Sequence, residues 1–241
     1  MARLYFRQWL SGQDYGAGVP GAAGMRNFAY AIGDADSGEA VLVDPAYDVD
    51  DLVDLLEADG MRCVGALATH YHVDHVGGEF QGYAVKGIAS LLERVDVPIH
   101  VQRLEAPWVE RSTGVSDALS SHDGGDVVLV GGIPVTLLHT PGHTPGSQCL
   151  LVDGMLLTGD TLFIDGCGRT DLPGGDVTEM HETLTRRLSR IADSTEIYPG
   201  HFYSEEPSMP MAALRIRNDF LGPKAPDADP DAGGEGTDLA G

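Results

Sequence analysis

The chain has 241 residues, 42% of them hydrophobic, and contains no run of about 18 apolar residues, which predicts one or two soluble globular domains without a membrane span. Its 37 Asp and Glu against 15 Lys and Arg give a formal charge of -22, a field that repels phosphate backbones and argues against nucleic-acid partners. Three cysteines (Cys63, Cys149 and Cys167) without metal-type spacing, and an N-terminus without an apolar signal core, predict reduced thiols and a cytoplasmic location.

In chain order, 3–10 mixes Leu, Tyr, Phe and Trp and predicts an edge strand, and the Gly-rich 11–24 predicts a loop. Strands are expected over 27–32 and 40–45, joined as a hairpin by the turn formers Asp34, Asp36, Ser37 and Gly38. Val49, Leu52, Val53, Leu55 and Leu56 lie on one broad face of a helix over 48–59, which Gly60 closes. The apolar run 63–68 predicts a buried strand. After it, Ile88, Leu91, Leu92 and Val95 recur at helical spacing within 79–96, a segment suited to a lid, a dimer contact or a helix with no chemical role. A short strand at 97–101 and a short helix at 104–112 follow. The runs 127–130 and 133–138 form a hairpin around Gly131-Gly132, and 148–152 and 155–157 another around Asp153-Gly154. Met180, Leu184, Leu188 and Ile191 predict an amphipathic helix over 178–192, 196–198 a last strand and 209–221 a closing helix. From 222 to 241 Pro, Gly, Ala and Asp dominate, which predicts a disordered acidic tail behind a domain of 1–221.

The densest chemistry is in Thr69-His70-Tyr71-His72-Val73-Asp74-His75, directly after the buried strand. Three imidazoles and one carboxylate fall within the six positions from His70 to His75. Those groups are the nitrogen and oxygen ligands of borderline and hard divalent cations, and a strand-to-helix turn fans them out from one point. A single histidine is commonly structural, but four such groups so close together point to a metal site. His143 in Thr140-Pro141-Gly142-His143, Asp160 in Thr158-Gly159-Asp160 and His201 in Tyr198-Pro199-Gly200-His201 each follow a predicted strand. Candidate ligands therefore gather at strand ends.

T-H-x-H-x-D-H followed by a His, an Asp and a His in later loops resembles the metallo-β-lactamase superfamily over roughly 25–205. The resemblance implies an αββα sandwich, two mixed β-sheets flanked by helices. It implies a first metal on His70, His72 and His143, a second on Asp74, His75 and His201, and Asp160 bridging them. Two divalent ions are expected, zinc by preference, with Asp74 orienting a metal-bound hydroxide. The family often carries an Asp at the position of Asp44 that supports a ligand histidine; a plain turn Asp is the other reading there.

Gly166-Cys167-Gly168-Arg169-Thr170-Asp171-Leu172-Pro173-Gly174-Gly175-Asp176 resembles the substrate loop of the glyoxalase II and persulfide dioxygenase branches. There Arg169 would hold a substrate carboxylate, unless it is a surface arginine paired with Asp171. Glyoxalase II has an aromatic residue where Asp171 stands, and a substantial helical domain after the last histidine; only 40 residues follow His201. The function expected is thioester hydrolysis, on a small-molecule thioester or a glutathione-like substrate, with a homodimer left open. The alternatives are an iron-dependent persulfide dioxygenase, with one Fe(II) on His70, His143 and Asp160, and a metal-binding protein without catalysis.

Overall fold

The computed structural model describes residues 2–80 and 82–221. The expected tail, 222–241, lies outside them. The elements in order are β1 (Leu4–Leu10), α1 (Ala22–Met25), β2 (Phe28–Asp34), β3 (Glu39–Val43), α2 (Val49–Ala58), β4 (Arg62–Leu67) and α3 (Val73–Val76). Then come β5 (Gly78–Phe80), β6 (Tyr83–Val85), α4 (Ile88–Arg94), β7 (Ile99–Gln102), α5 (Ala106–Thr113), β8 (Leu119–His122), β9 (Val127–Val130) and β10 (Ile133–His139). The last are β11 (Gln148–Val152), β12 (Met155–Gly159), α6 (Val177–Glu182), β13 (Glu196–Pro199), β14 (Met209–Pro210) and α7 (Met211–Arg217). Among the described residues two six-stranded mixed sheets form, ordered β1-β2-β3-β4-β7-β8 and β14-β13-β12-β11-β10-β9, with β5-β6 a separate hairpin.

Side-chain alternation along the strands builds three apolar layers. Tyr30, Ile32, Val41 and Val43 point between the sheets, against Val135, Leu137, Leu150 and Leu157. The alternate residues Ala29, Ala31 and Leu42 face the other way and pack on Leu52, Val53 and Leu56 of α2 and on Ile88 and Leu91 of α4. On the far side Cys149, Leu156 and Ile197 meet Met180, Leu184, Met211 and Leu214. Helix, sheet, sheet and helix thus stack as the expected αββα sandwich.

Three segments differ most from the sequence pattern, besides the short α1 at the end of the expected 11–24 loop and β14 at the start of the expected 209–221 helix. The 79–96 stretch opens with the β5–β6 hairpin before its helix. β8 is an additional strand, paired in parallel with β7. The helix expected over 178–192 widens over Thr183–Arg187 and tightens over Leu188–Arg190, where the buried Thr183 hydroxyl donates to the Pro141 carbonyl at 2.7 Å. No helix among the described residues is long and apolar enough to cross a membrane.

Candidate metal centre

Five strands end at one edge of the sandwich, and each delivers a residue to the site. β3 and β4 run parallel and deliver Asp44 and 69–75; β12 and β13 run parallel and deliver Asp160 and His201. β10 reaches the same edge through two antiparallel pairings and delivers His143. Backbone bonds lock the two sheets together there: Gln148 N–H donates to Thr69 O at 2.9 Å, and Phe28 N–H to Gly200 O at 2.8 Å.

All seven expected ligands converge. The donor atoms of His70, His72 and His143 lie within 4.8 Å of one another, and so do those of Asp74, His75 and His201. Asp160 stands between these triads, its Oδ2 3.3 Å from His201 Nε2 and 3.6 Å from His143 Nε2, its Oδ1 3.4 Å from His75 Nε2.

The outer nitrogens reveal how the rings are held. His143 Nδ1 donates to Arg169 O at 2.6 Å and His201 Nδ1 to Met25 O at 2.8 Å. His75 Nδ1 lies 2.9 Å from Asp44 Oδ2. The Thr69 hydroxyl donates to Asp44 at 2.6 Å, so it accepts from His70 Nδ1 at 3.0 Å. Four rings therefore carry their proton on Nδ1 and turn an Nε2 lone pair inward, an arrangement that fixes the tautomer needed for metal binding. His72 offers Nδ1 instead, 3.1 Å from His70 Nε2 and 2.9 Å from His143 Nε2. Lone pairs facing one another at these distances repel unless a proton or a cation lies between them. Asp160 Oδ1 is buried with no hydrogen-bond partner. An orphaned carboxylate oxygen beside converging imidazole lone pairs is the environment a divalent cation fits.

The electrostatics differ between the triads. Burial and the neighbouring His75 hold His70 well below the usual histidine range, and burial with His143 brings His72 down to about 4. Burial works against charge on His75 and His201 as well, but Asp160 and Asp74 outweigh it and raise both. Burial alone would raise Asp160; His201 and His75 hold it well below the carboxylate range instead.

Asp44 has φ of 51° and accepts from Thr69 N–H at 2.7 Å besides the two bonds above. Its carboxylate bonds His75 directly and reaches His70 through the Thr69 hydroxyl, the placement that the first of the two sequence readings requires. Arg169 lines the cleft above the triads, a space of about 510 Å³. Its guanidinium is bidentate to Asp171 at 2.8 and 2.9 Å, and it draws that carboxyl down to about 2. Gly168 beside it is obligatory, because a Cβ would lie 2.0 Å from Asp160 O and 2.7 Å from His143 Nδ1.

Two further residues emerge from the structure. Asn27 Nδ2 donates to Asp74 O at 3.0 Å and to Asp74 Oδ2 at 3.1 Å. Glu105, 1% exposed, accepts from Tyr71 N–H and Gly146 N–H, both at 2.7 Å, and so ties the 69–75 turn to the His143 loop. Neither has a local sequence signal, since each acts through backbone brought close by the fold. His100 and His122 pair with each other at 2.9 Å.

Known proteins resemble this chain over most of its length. Residues 24–201 match the model of the metallo-beta-lactamase superfamily. The probable polyketide biosynthesis zinc-dependent hydrolase BaeB of Bacillus velezensis is 30% identical over 196 residues, 81% of this chain and 81% of that one. A hydroxyacylglutathione hydrolase of Maricaulis maris is 35% identical over 181 residues, 74% of this chain but 63% of that protein, so the chain spans less than two thirds of that relative. The crystal structure of ETHE1 from Myxococcus xanthus superposes with a TM-score of 0.72 at 28% identity, over 89% of this chain and 83% of that one. With the matched region holding every strand-end ligand candidate, the chain belongs to the metallo-beta-lactamase superfamily.

Proposed function

We propose that the protein is a metal-dependent thioesterase acting on a small-molecule thioester. The observation that carries this reading is the pair of complete donor triads with Asp160 between them. His70, His72 and His143 would hold one divalent cation, Asp74, His75 and His201 a second, with Asp160 shared. Two such cations supply a water acidic enough to ionise near neutral pH and polarise a carbonyl. The chain's own groups do the rest. Asp74, held by Asn27, is placed to accept a hydrogen bond from the attacking water and orient it. The cleft between Tyr71 and Tyr203 receives the carbonyl carbon above the triads. A thiolate leaving group has a conjugate-acid pKa of roughly 8.5 and departs with little help from a general acid. The named relatives that hydrolyse, one zinc-dependent and one acting on hydroxyacylglutathione, support hydrolysis and zinc.

The loop Gly166-Cys167-Gly168-Arg169-Thr170-Asp171 favours a second reading, a persulfide dioxygenase using one iron. One experiment separates the two. Protein reconstituted with zinc or with iron is incubated with S-lactoylglutathione or with glutathione persulfide, following thiol release and oxygen uptake. Thiol release is expected from the thioester, and His72→Ala and His201→Ala each lower both metal content and rate. Oxygen uptake from persulfide by an iron-loaded protein, without thioester cleavage, selects the dioxygenase.

A further inference from the structure

The cleft has a neighbour past the triads. Across Met25 and Asp74 lies a second cavity of about 360 Å³, walled by Pro20, Gly24, Met25, Tyr47, Tyr83 and Val85. Met25 and Asp74 line both spaces, so the two adjoin at these residues. Asp74, at the junction, is the one charged residue among its described lining residues. The Tyr47 hydroxyl is engaged by Asn27 Oδ1 at 3.3 Å. The walls come from the loop before β2 and from the β5–β6 hairpin, which Tyr47 N–H anchors by donating to Lys86 O at 2.9 Å. The overhanging hairpin thus acquires a role as a cavity wall.

A thioester whose carbonyl lies over the triads extends in two directions, a thiol arm and an acyl arm. At one end of the cleft is the 167–173 loop with the charged Arg169; at the Met25 and Asp74 end lies this apolar cavity. Given the thioesterase reading, on which this step rests, we infer that the cavity receives the acyl arm and that the substrate carries an apolar acyl chain of several carbons. A short hydroxyacyl group would leave most of the space unfilled. The cavity is within the size range of small-molecule sites, about 300–1,000 Å³. Each methylene moved from water into such a lining is worth about fourfold in binding.

The test uses the metal-reconstituted full chain and the glutathione thioesters of acetate, butyrate, hexanoate and lactate. kcat/KM is expected to climb about tenfold or more from acetyl to hexanoyl, with lactoyl no better than acetyl. Gly24 lies in the helical backbone of α1, and a Cβ there meets nothing within 4 Å, so Gly24→Phe projects a ring into the cavity without a clash at its root. It should cut the hexanoyl-to-acetyl ratio about tenfold with metal content unchanged. Tyr83→Ala removes a wall that is itself 62% exposed, and should flatten the same ratio independently. Thioester hydrolysis with a flat chain-length profile, or a climb that survives both substitutions, overturns the acyl cavity and leaves the thioesterase reading standing. Failure to hydrolyse any of the four overturns the thioesterase reading, and this inference with it.

Discussion

Asp44 shows what a single carboxylate contributes. With φ of 51° it occupies a left-handed conformation that Asp and Asn tolerate better than other non-glycine residues. From there it accepts from Thr69 N–H, from the Thr69 hydroxyl and from His75 Nδ1 at once. Asp44→Asn keeps the shape and the backbone preference but replaces one acceptor oxygen with a donor. The tautomers of His70 and His75 are then no longer imposed, and a loss of about 10- to 100-fold in metal affinity is expected with the fold intact. Competition against a chelator of known affinity measures it; unchanged affinity would reduce Asp44 to a turn residue. Arg169 poses the opposite case. Its ion pair with Asp171 is solvent-exposed, both side chains at 68%, so the pair contributes little to stability and can be opened by a ligand. If Arg169 holds a substrate carboxylate, Arg169→Ala raises KM more than it lowers kcat, because the contact is equal in ground and transition states. Asp171→Asn removes the competing carboxylate and should lower KM for the same substrate. Steady-state kinetics on both variants decide the matter, and KM values that do not move would leave the pair structural.

At the scale of elements, the site depends on loops held in register by groups outside the motif. Glu105 precedes α5 and joins the turn after β4 to the loop after β10. Burial pushes its carboxyl from the ordinary 4.5 up to about 7, although both N–H donors favour the ionised form. A carboxyl whose folded value is raised binds its proton more tightly when folded. It therefore favours folding fully below about 4.5 and loses that contribution as pH rises through about 7, a change on the order of 3 kcal/mol. Glu105→Gln cannot titrate, and it turns an amide N–H toward one of two buried donors, costing about 1–3 kcal/mol. The advantage of the original protein over this variant, measured by denaturant unfolding of metal-free chains, should be largest near pH 4.5 and shrink toward pH 8. An advantage independent of pH would mean that folding leaves the Glu105 carboxyl at its ordinary value. Such a residue also shows why the sequence is legible only in part. The ligand turn is readable because His70, His72, Asp74 and His75 are neighbours in the chain, and α2 because Leu52, Val53 and Leu56 repeat at 3.6-residue spacing. The hairpin β5–β6 is three residues a side and largely exposed, and β8 reads Leu-Ser-Ser-His, so neither carries an apolar alternation. The bonds of Asn27 and Glu105 form only after β2, β4 and β10 have assembled, and no local pattern encodes them.

In the whole molecule, the candidate ligands couple the two sheets. His70, His72, Asp74 and His75 follow β4 in the first sheet, whereas His143, Asp160 and His201 follow β10, β12 and β13 in the second. Each triad draws on both sheets, so a cation in either would cross-link the halves of the sandwich. Any ligand that binds the folded chain and not the unfolded one stabilises it by mass action, about 2.7 kcal/mol when free metal stands at 100 times its Kd. For a domain of this size, 1 kcal/mol moves Tm by roughly 2–4 °C. Stripping metal with a chelator should therefore lower Tm by about 5–10 °C, and restoring zinc should recover it. The formal charge of -22 sharpens the comparison, because added salt screens the repulsion among 37 acidic groups and raises Tm with or without metal. The two contributions separate in a two-way experiment, metal-free and metal-replete protein at low and high salt. A metal-dependent shift that persists at high salt shows the cation bridging the sheets through its ligands. A shift that vanishes there would mean that metal acts only by neutralising surface charge, and that the triads do not hold it. His201→Ala supplies the matching control. It removes one candidate ligand of the second triad, contributed by the second sheet, and the zinc-dependent rise in Tm should shrink while the salt-dependent rise stays.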